Sequence, residues 1–124
     1  MHIYANPNPC KVLVGDCVIR AVSIITNTSW DYTYNAICEQ GRKMCDMPSS
    51  NAVWDTYLKS IGFSKYAIPN ICPSCYTVID FCRDYPIGSY LLATGTHAVA
   101  VIDGNYYDTW DSGDETPIYF YERR

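Results

Sequence analysis

Asp103-Gly104 stands between two runs of strand-forming residues, 96–102 and 105–110. A two-residue Asp-Gly connection favours a turn with positive φ at both positions, and that turn fixes the register of the strands it joins. With Asp103 and Gly104 as the turn, Ile102 faces Asn105 and Val99 faces Asp108. Side chains alternate along a strand, so His97, Val99 and Asp108 are expected on one face. His97 and Asp108 are then diagonal neighbours, roughly 7 Å apart between backbones, a span that an imidazole and a carboxylate bridge with a hydrogen bond. A slip of one residue would send Asp108 to the opposite face.

The rest of the chain arranges itself around this hairpin. Residues 88–94 read as a further strand and 117–121 as a last one. Upstream the period changes to that of helices. Val18, Ala21, Val22 and Ile25 recur at helical spacing over 17–26, ending at Thr26-Asn27. Thr28-Ser29-Trp30-Asp31 reads as a capping box for a second helix, which carries Trp30, Tyr34, Ile37 and Cys38 and is expected to stop or fray at Gly41. A third helix starts at Ser49-Ser50, carries Val53, Tyr57, Leu58 and Ile61, and closes with Gly62 at C′. A short fourth covers 77–83, and residues 1–14 form a Pro/Asn-rich extended lead-in lying along the surface. Helices first and antiparallel strands second define an α+β fold, and 124 residues suffice for one domain with its own core.

The chemistry concentrates at the start of the first helix. Gly15-Asp16 is turn chemistry, Asp16 is a fair N-cap, and Cys17 falls in the first helical turn. Free N–H groups there favour a thiolate and can also hold an oxyanion. Most free cysteines are small buried hydrophobes, and among seven only Cys17 has this position. His97, brought from the distant strand, is a candidate base for Cys17, and Asp108 can orient it. The competing reading of Asp108 is a solvated strand end.

Composition narrows the alternatives. The net charge is −4 and the basic residues Arg20, Arg42, Lys43, Arg123 and Arg124 are scattered, so general nucleic-acid binding is not expected. Twelve tyrosines point to a half-exposed surface or groove that uses ring and hydroxyl together. No run approaches a membrane span and the N-terminus lacks a signal-peptide core, so a reducing cytoplasm with free thiols is expected. Cys72-Pro73-Ser74-Cys75 is one close cysteine pair, with Cys82 following and Cys38 and Cys45 upstream. A structural zinc commonly takes two such pairs, so neither a metal nor any other cofactor is expected.

Together these residues resemble a papain-like cysteine peptidase of minimal size, over about residues 10–122. In that family the nucleophilic Cys opens a helix, the His opens a strand of an antiparallel sheet, and an Asn or Asp follows on the next strand with a Trp two residues later. The resemblance implies a papain-like fold, Cys17 as nucleophile, His97 as base, Asp108 as orienter and Trp110 as its shield, with Asp16 in support. The Gly15-Asp16-Cys17 lead is similar to that of short papain-like and leader-peptidase-like proteins of bacteria and their phages, which implies a bacterial or phage-infected cytoplasm. One departure is plain: the family's oxyanion-hole Gln, about six residues before the Cys, is replaced by Lys11. Asn6, Asn8 or Lys11 is then the candidate side-chain donor, with the Cys17 amide as the second. The short inter-helical segment also predicts a shallow cleft.

Three readings follow, in order of weight. The first is a thiol hydrolase, peptidase or amidase, acting on a peptide, an isopeptide or a glutamine side chain. The second is a catalytically inert papain-like scaffold that binds a partner protein or small ligand. The third is a metal-binding module built on Cys72, Cys75 and two other ligands. The oligomeric state is left open.

Overall fold

In a computed structural model, which describes residues 1–69 and 75–123, the Asp103-Gly104 turn has the expected form, with φ of 49° and 77°. It joins β4 (Ala98–Ile102) to β5 (Asn105–Asp108), with Ile102 opposite Asn105, Val101 opposite Tyr106 and Ala100 opposite Tyr107. The Asp103 carboxylate tightens the corner by accepting from the Gly88 N–H at 3.0 Å.

Three further strands and a short N-terminal one complete a six-stranded sheet. They are β1 (His2–Tyr4), β2 (Phe63–Ala67), β3 (Ser89–Ala93) and β6 (Tyr119–Arg123), and the spatial order is β1-β5-β4-β3-β6-β2. Four helices accompany it: α1 (Cys17–Thr26), α2 (Trp30–Lys43), α3 (Asn51–Ser60) and α4 (Val78–Asp84). The fold is α+β, as the sequence implies, but the sheet is mixed and not wholly C-terminal. β1 runs parallel to β5, pairing His2, Ile3 and Tyr4 with Tyr106, Tyr107 and Asp108. Three residues are too few to show a two-residue alternation, so the lead-in hides this strand. It is also not merely superficial, since Asn6 and Asn8 are buried. β2 follows Gly62 directly and is an edge strand paired only to β6.

Alternation along the central strands sorts the core onto two faces. Leu91, Ala93, Ala98 and Ala100 pack with Ala21, Val22 and Ile25 of α1 and with Ile37, Val53 and Leu58. Tyr90, Leu92, Val99, Val101 and Tyr106 pack with Val78, Phe81 and Cys82 of α4. The small alanines of β4 let α1 lie close against the middle of the sheet, which sets the position of that helix's first turn.

Helix ends differ from expectation in two places. The residue capping α2 is Ser29, whose side chain accepts from Tyr32 N–H; the Thr28–Asp31 box does not form. Gly41 does not end α2. A Cβ there would sit 2.9 Å from the Asp46 carbonyl oxygen, so glycine is needed for the close return of the chain after the helix, while the helix itself runs on to Lys43. A complete capping box is instead found at α4, between Thr77 and Asp80. The last strand begins at Tyr119, beyond Pro117, which has no N–H to give a ladder. No helix among the described residues is long and apolar enough to cross a membrane.

Candidate active site

Cys17 is the first residue of α1 and half-buried. Asp16 occupies the N-cap position, yet its carboxylate makes no cap hydrogen bond. It accepts instead from Trp30 Nε1 at 2.9 Å and pairs with the Arg20 guanidinium. The first-turn amides of α1 are therefore not occupied by their own cap, which leaves them available to an acceptor arriving at Cys17.

His97 lies immediately before β4, in the four-residue connection from β3. Gly95 takes φ +105° there, the left-handed region that favours glycine. Thr94 N–H donates to the His97 carbonyl at 2.9 Å, and His97 N–H donates to Thr94 Oγ1 at 3.1 Å. These two bonds fix the histidine backbone. Because His97 precedes the strand, the alternation that sends Val99 and Val101 toward α4 does not govern it. Its ring bridges Asp108 on β5 and Cys17 on α1.

The three residues meet. His97 Nε2 is 2.5 Å from Asp108 Oδ2, which leaves Nδ1 as the ring nitrogen for the sulfur, and the Cys17 thiol and the imidazole lie close enough to shift each other's titration. Burial pushes the Cys17 thiol up, but the bonds from His97 and Ala98 and the charges of His97 and Arg20 outweigh it, and the net shift is down. Burial acts to lower the His97 value, whereas the bonds to Asp108 and Cys17 raise it, to about 9. Both directions favour the thiolate–imidazolium form of the pair over two ordinary neutral groups.

Asp108 is not a solvated strand end. It is 2 % exposed and its carboxylate accepts four hydrogen bonds. Oδ2 takes His97 Nε2 and, at 2.8 Å, Ser112 Oγ; Oδ1 takes Thr109 N–H at 2.8 Å and Arg20 Nη2 at 3.2 Å. Burial acts to raise its pKa, but the hydrogen bonds of His97 and Ser112 hold it below the ordinary carboxylate value. Trp110 is 45 % exposed and sets its ring 5.0 Å from the His97 ring, tilted by 42°, so one face of the imidazole is covered.

Sequence reasoning missed Arg20 and Ser112. Arg20 counts among scattered surface charges by composition, yet it is 6 % exposed and holds both Asp16 and Asp108. A charge inside Val18-Ile19-Arg20-Ala21-Val22, on a helix whose neighbouring positions are apolar, was the available signal. Ser112 gave none; it comes from the loop after β5 and is fully buried.

Asn8 and Lys11 are not brought to the nucleophile. Asn8 is tied within the lead-in, accepting from Cys10 N–H at 2.9 Å and reaching Asp16 at 3.5 Å. Lys11 Nζ donates to the Asn6 carbonyl at 2.8 Å, and Asn6 Nδ2 donates to the Val12 carbonyl. None of the three lines the cleft: Asn6 and Lys11 hold the turns of the proline-rich lead-in, and Asn8 ties it to Asp16.

Cys17 and His97 open onto a cleft of about 580 Å³ between the helices and the sheet. Val18, Ile37 and Trp54 give it apolar walls, and Tyr119, Tyr121 and Asp55 add polar atoms. Cys72 of the CxxC pair lies outside the described residues; among those described, no group of three or more His, Cys, Asp or Glu is placed to hold a metal ion.

Comparison with protein-family models, with curated proteins and with solved structures found no match to this chain.

Proposed function

We propose that this chain is a thiol-dependent hydrolase, a peptidase or amidase of papain-like type. The observation that carries the reading is the chain of contacts Cys17–His97–Asp108, with its buried carboxylate, at the mouth of a cleft sized for a peptide. Three residues from different elements converge in the roles of nucleophile, base and orienter, with His97 between the other two.

The Cys17 thiolate attacks the substrate carbonyl carbon, forming a carbon–sulfur bond and an oxyanion. The Cys17 backbone N–H and its first-turn neighbours are the donors within reach of that oxygen. His97 gives its proton to the departing amine, the carbon–nitrogen bond breaks, and a thioester remains on Cys17. Neutral His97 then takes a proton from water as the hydroxyl attacks the thioester, which releases the carboxylic acid and regenerates the thiolate–imidazolium pair. An amine in place of water would give transfer, so a glutamine side chain or an isopeptide is also a substrate of this chemistry.

The test is a panel of peptide, isopeptide and glutamine-amide substrates against wild type, Cys17→Ser and His97→Ala, with intact mass spectrometry to trap the thioester. Turnover surviving Cys17→Ser rules out thiol catalysis.

The lack of a side-chain oxyanion donor at Asn8 or Lys11 favours a second reading, in which the same cleft binds a partner protein or small ligand without turning it over. Inactivity of wild type across the whole panel would select that reading.

A further inference from the structure

Arg20 joins the two ends of the site. It belongs to α1, one turn beyond Cys17, and its guanidinium reaches the Asp108 carboxylate on β5, 88 residues away in sequence. Its other arm holds Asp16, the residue before the nucleophile. Both ion pairs are buried, with Arg20 and Asp108 side chains 8 % and 1 % exposed. A buried pair of this kind is a poor device for stability alone, because desolvation of the charges offsets most of their attraction. It is a good device for geometry, because a guanidinium fork fixes two carboxylates in one plane.

We propose that Arg20 is a positioning residue for the thiol site, locking Asp108 so that its other oxygen meets His97. The proposal rests on the thiol-hydrolase reading. By occupying Oδ1, Arg20 leaves Oδ2 to His97 and Ser112. That fixes Nε2, and with it the direction in which Nδ1 faces the sulfur. The charged and titratable groups around this unit are Asp16, Cys17 and Arg20 on α1, His97 before β4 and Asp108 on β5. From β1, His2 reaches the Asp108 carbonyl at 3.1 Å, and α2 contributes the neutral Trp30 indole. Removing Arg20 frees the Asp108 carboxylate to turn away from His97, which weakens the imidazolium facing the sulfur and raises the pH needed to form the thiolate.

The experiment is site-resolved alkylation of Cys17 by iodoacetamide between pH 4.5 and 9, read by mass spectrometry of the Cys17 peptide, in wild type, Arg20→Met, Asp108→Asn and the double variant. In Arg20→Met the acid limb is expected to move to higher pH by roughly half a unit or more, slowing the reaction at its foot about threefold or more. In the Asp108→Asn background, Arg20→Met is expected to add less than about twofold, since a positioning residue acts through its partner. Asp16→Asn/Arg20→Met removes one buried carboxylate together with the guanidinium and carries the same measurement if the single variant does not fold. An acid limb unmoved in a folded variant, or an equal loss in both Asp108 backgrounds, overturns the proposal. Failure of both Arg20 variants to fold also overturns it, because Arg20 is then only structural. A wild-type Cys17 without enhanced reactivity at mildly acidic pH defeats the thiol reading itself, an outcome visible before any Arg20 variant is examined.

Discussion

His97 Nε2 and Asp108 Oδ2 lie 2.5 Å apart, eleven residues from each other across the β4–β5 hairpin. The Asp103-Gly104 turn brings them together, and the pairing is as specific as the turn. Deleting Gly104 would shift the register and send Asp108 to the other face of the sheet. The hairpin is thus both a folding element and the scale that sets the His97–Asp108 distance.

Asp108 variants separate orientation from stability. Asp108→Ala is expected to lower both turnover and thermal stability, because it strands the buried Arg20 as well as His97; breaking a buried ion pair typically costs about 3–5 kcal/mol. Asp108→Asn keeps the shape and an acceptor oxygen. It is expected to fold better and to bring the His97 titration down from about 9 toward the ordinary histidine value, since the carboxylate that raises it is gone. NMR titration of the His97 ring, with thermal melts alongside, checks both. An unchanged His97 titration in Asp108→Asn would show that the hydrogen bond does not control the base.

Trp110 is expected to matter more for rate than for folding. Its ring covers His97, yet nearly half its surface faces solvent. Trp110→Ala therefore removes little buried area, and its stability cost is expected to stay within about 1 kcal/mol. Turnover should fall further, because water reaches the imidazole and weakens its bonds to Asp108 and Cys17. Equal proportional losses of melting stability and activity would make Trp110 an ordinary packing residue.

Gly41 offers a test of the scaffold away from the chemistry. In an exposed helix interior, Gly→Ala gains about 1 kcal/mol of helix propensity. Here the added Cβ meets the Asp46 backbone oxygen at 2.9 Å, and overpacking of this sort typically costs about 1–3 kcal/mol. Gly41→Ala is expected to lower the denaturation midpoint. A higher midpoint would mean that the chain after α2 yields easily.

The parts of this molecule legible in sequence are those governed by local rules. The Asp-Gly turn, the 17–26 helix and Gly62 after α3, with its φ of 99°, each follow from a few adjacent residues. What escaped is decided by distant partners. β1 exists because β5 offers it an edge, and three residues cannot announce that alone. Arg20 is buried only because Asp108 arrives from β5 to meet it, and Ser112 joins them from a loop. Asp16 was read correctly as the residue at the N-cap and wrongly as its cap, because Arg20 and Trp30 compete for its oxygens. The thiol, imidazole and carboxylate could be named in advance; the groups that hold the carboxylate could not.

The pH dependence of turnover follows from the shifts on Cys17 and His97. Attack needs the thiolate, and departure of the amine needs the imidazolium. Cys17 is lowered from its ordinary value of about 9 and His97 is raised to about 9, so on the proposed reading the thiolate and the imidazolium overlap between the lowered thiol value and about 9. Turnover is expected to rise through a limb below the ordinary thiol value and to fall as His97 loses its proton near pH 9. Stability obeys the same linkage. The folded-state value of His97 is raised, so its contribution is fully present below the ordinary histidine value of 6.5 and is lost as pH climbs through about 9. Cys17 has the opposite sign: its contribution is present above about 9 and is lost as pH falls through its lowered value. The melting difference between wild type and His97→Gln should accordingly shrink between pH 6.5 and 9. A turnover profile that begins to rise only near pH 9, together with a melting difference flat across that range, would mean that Cys17 and His97 touch without forming an ion pair.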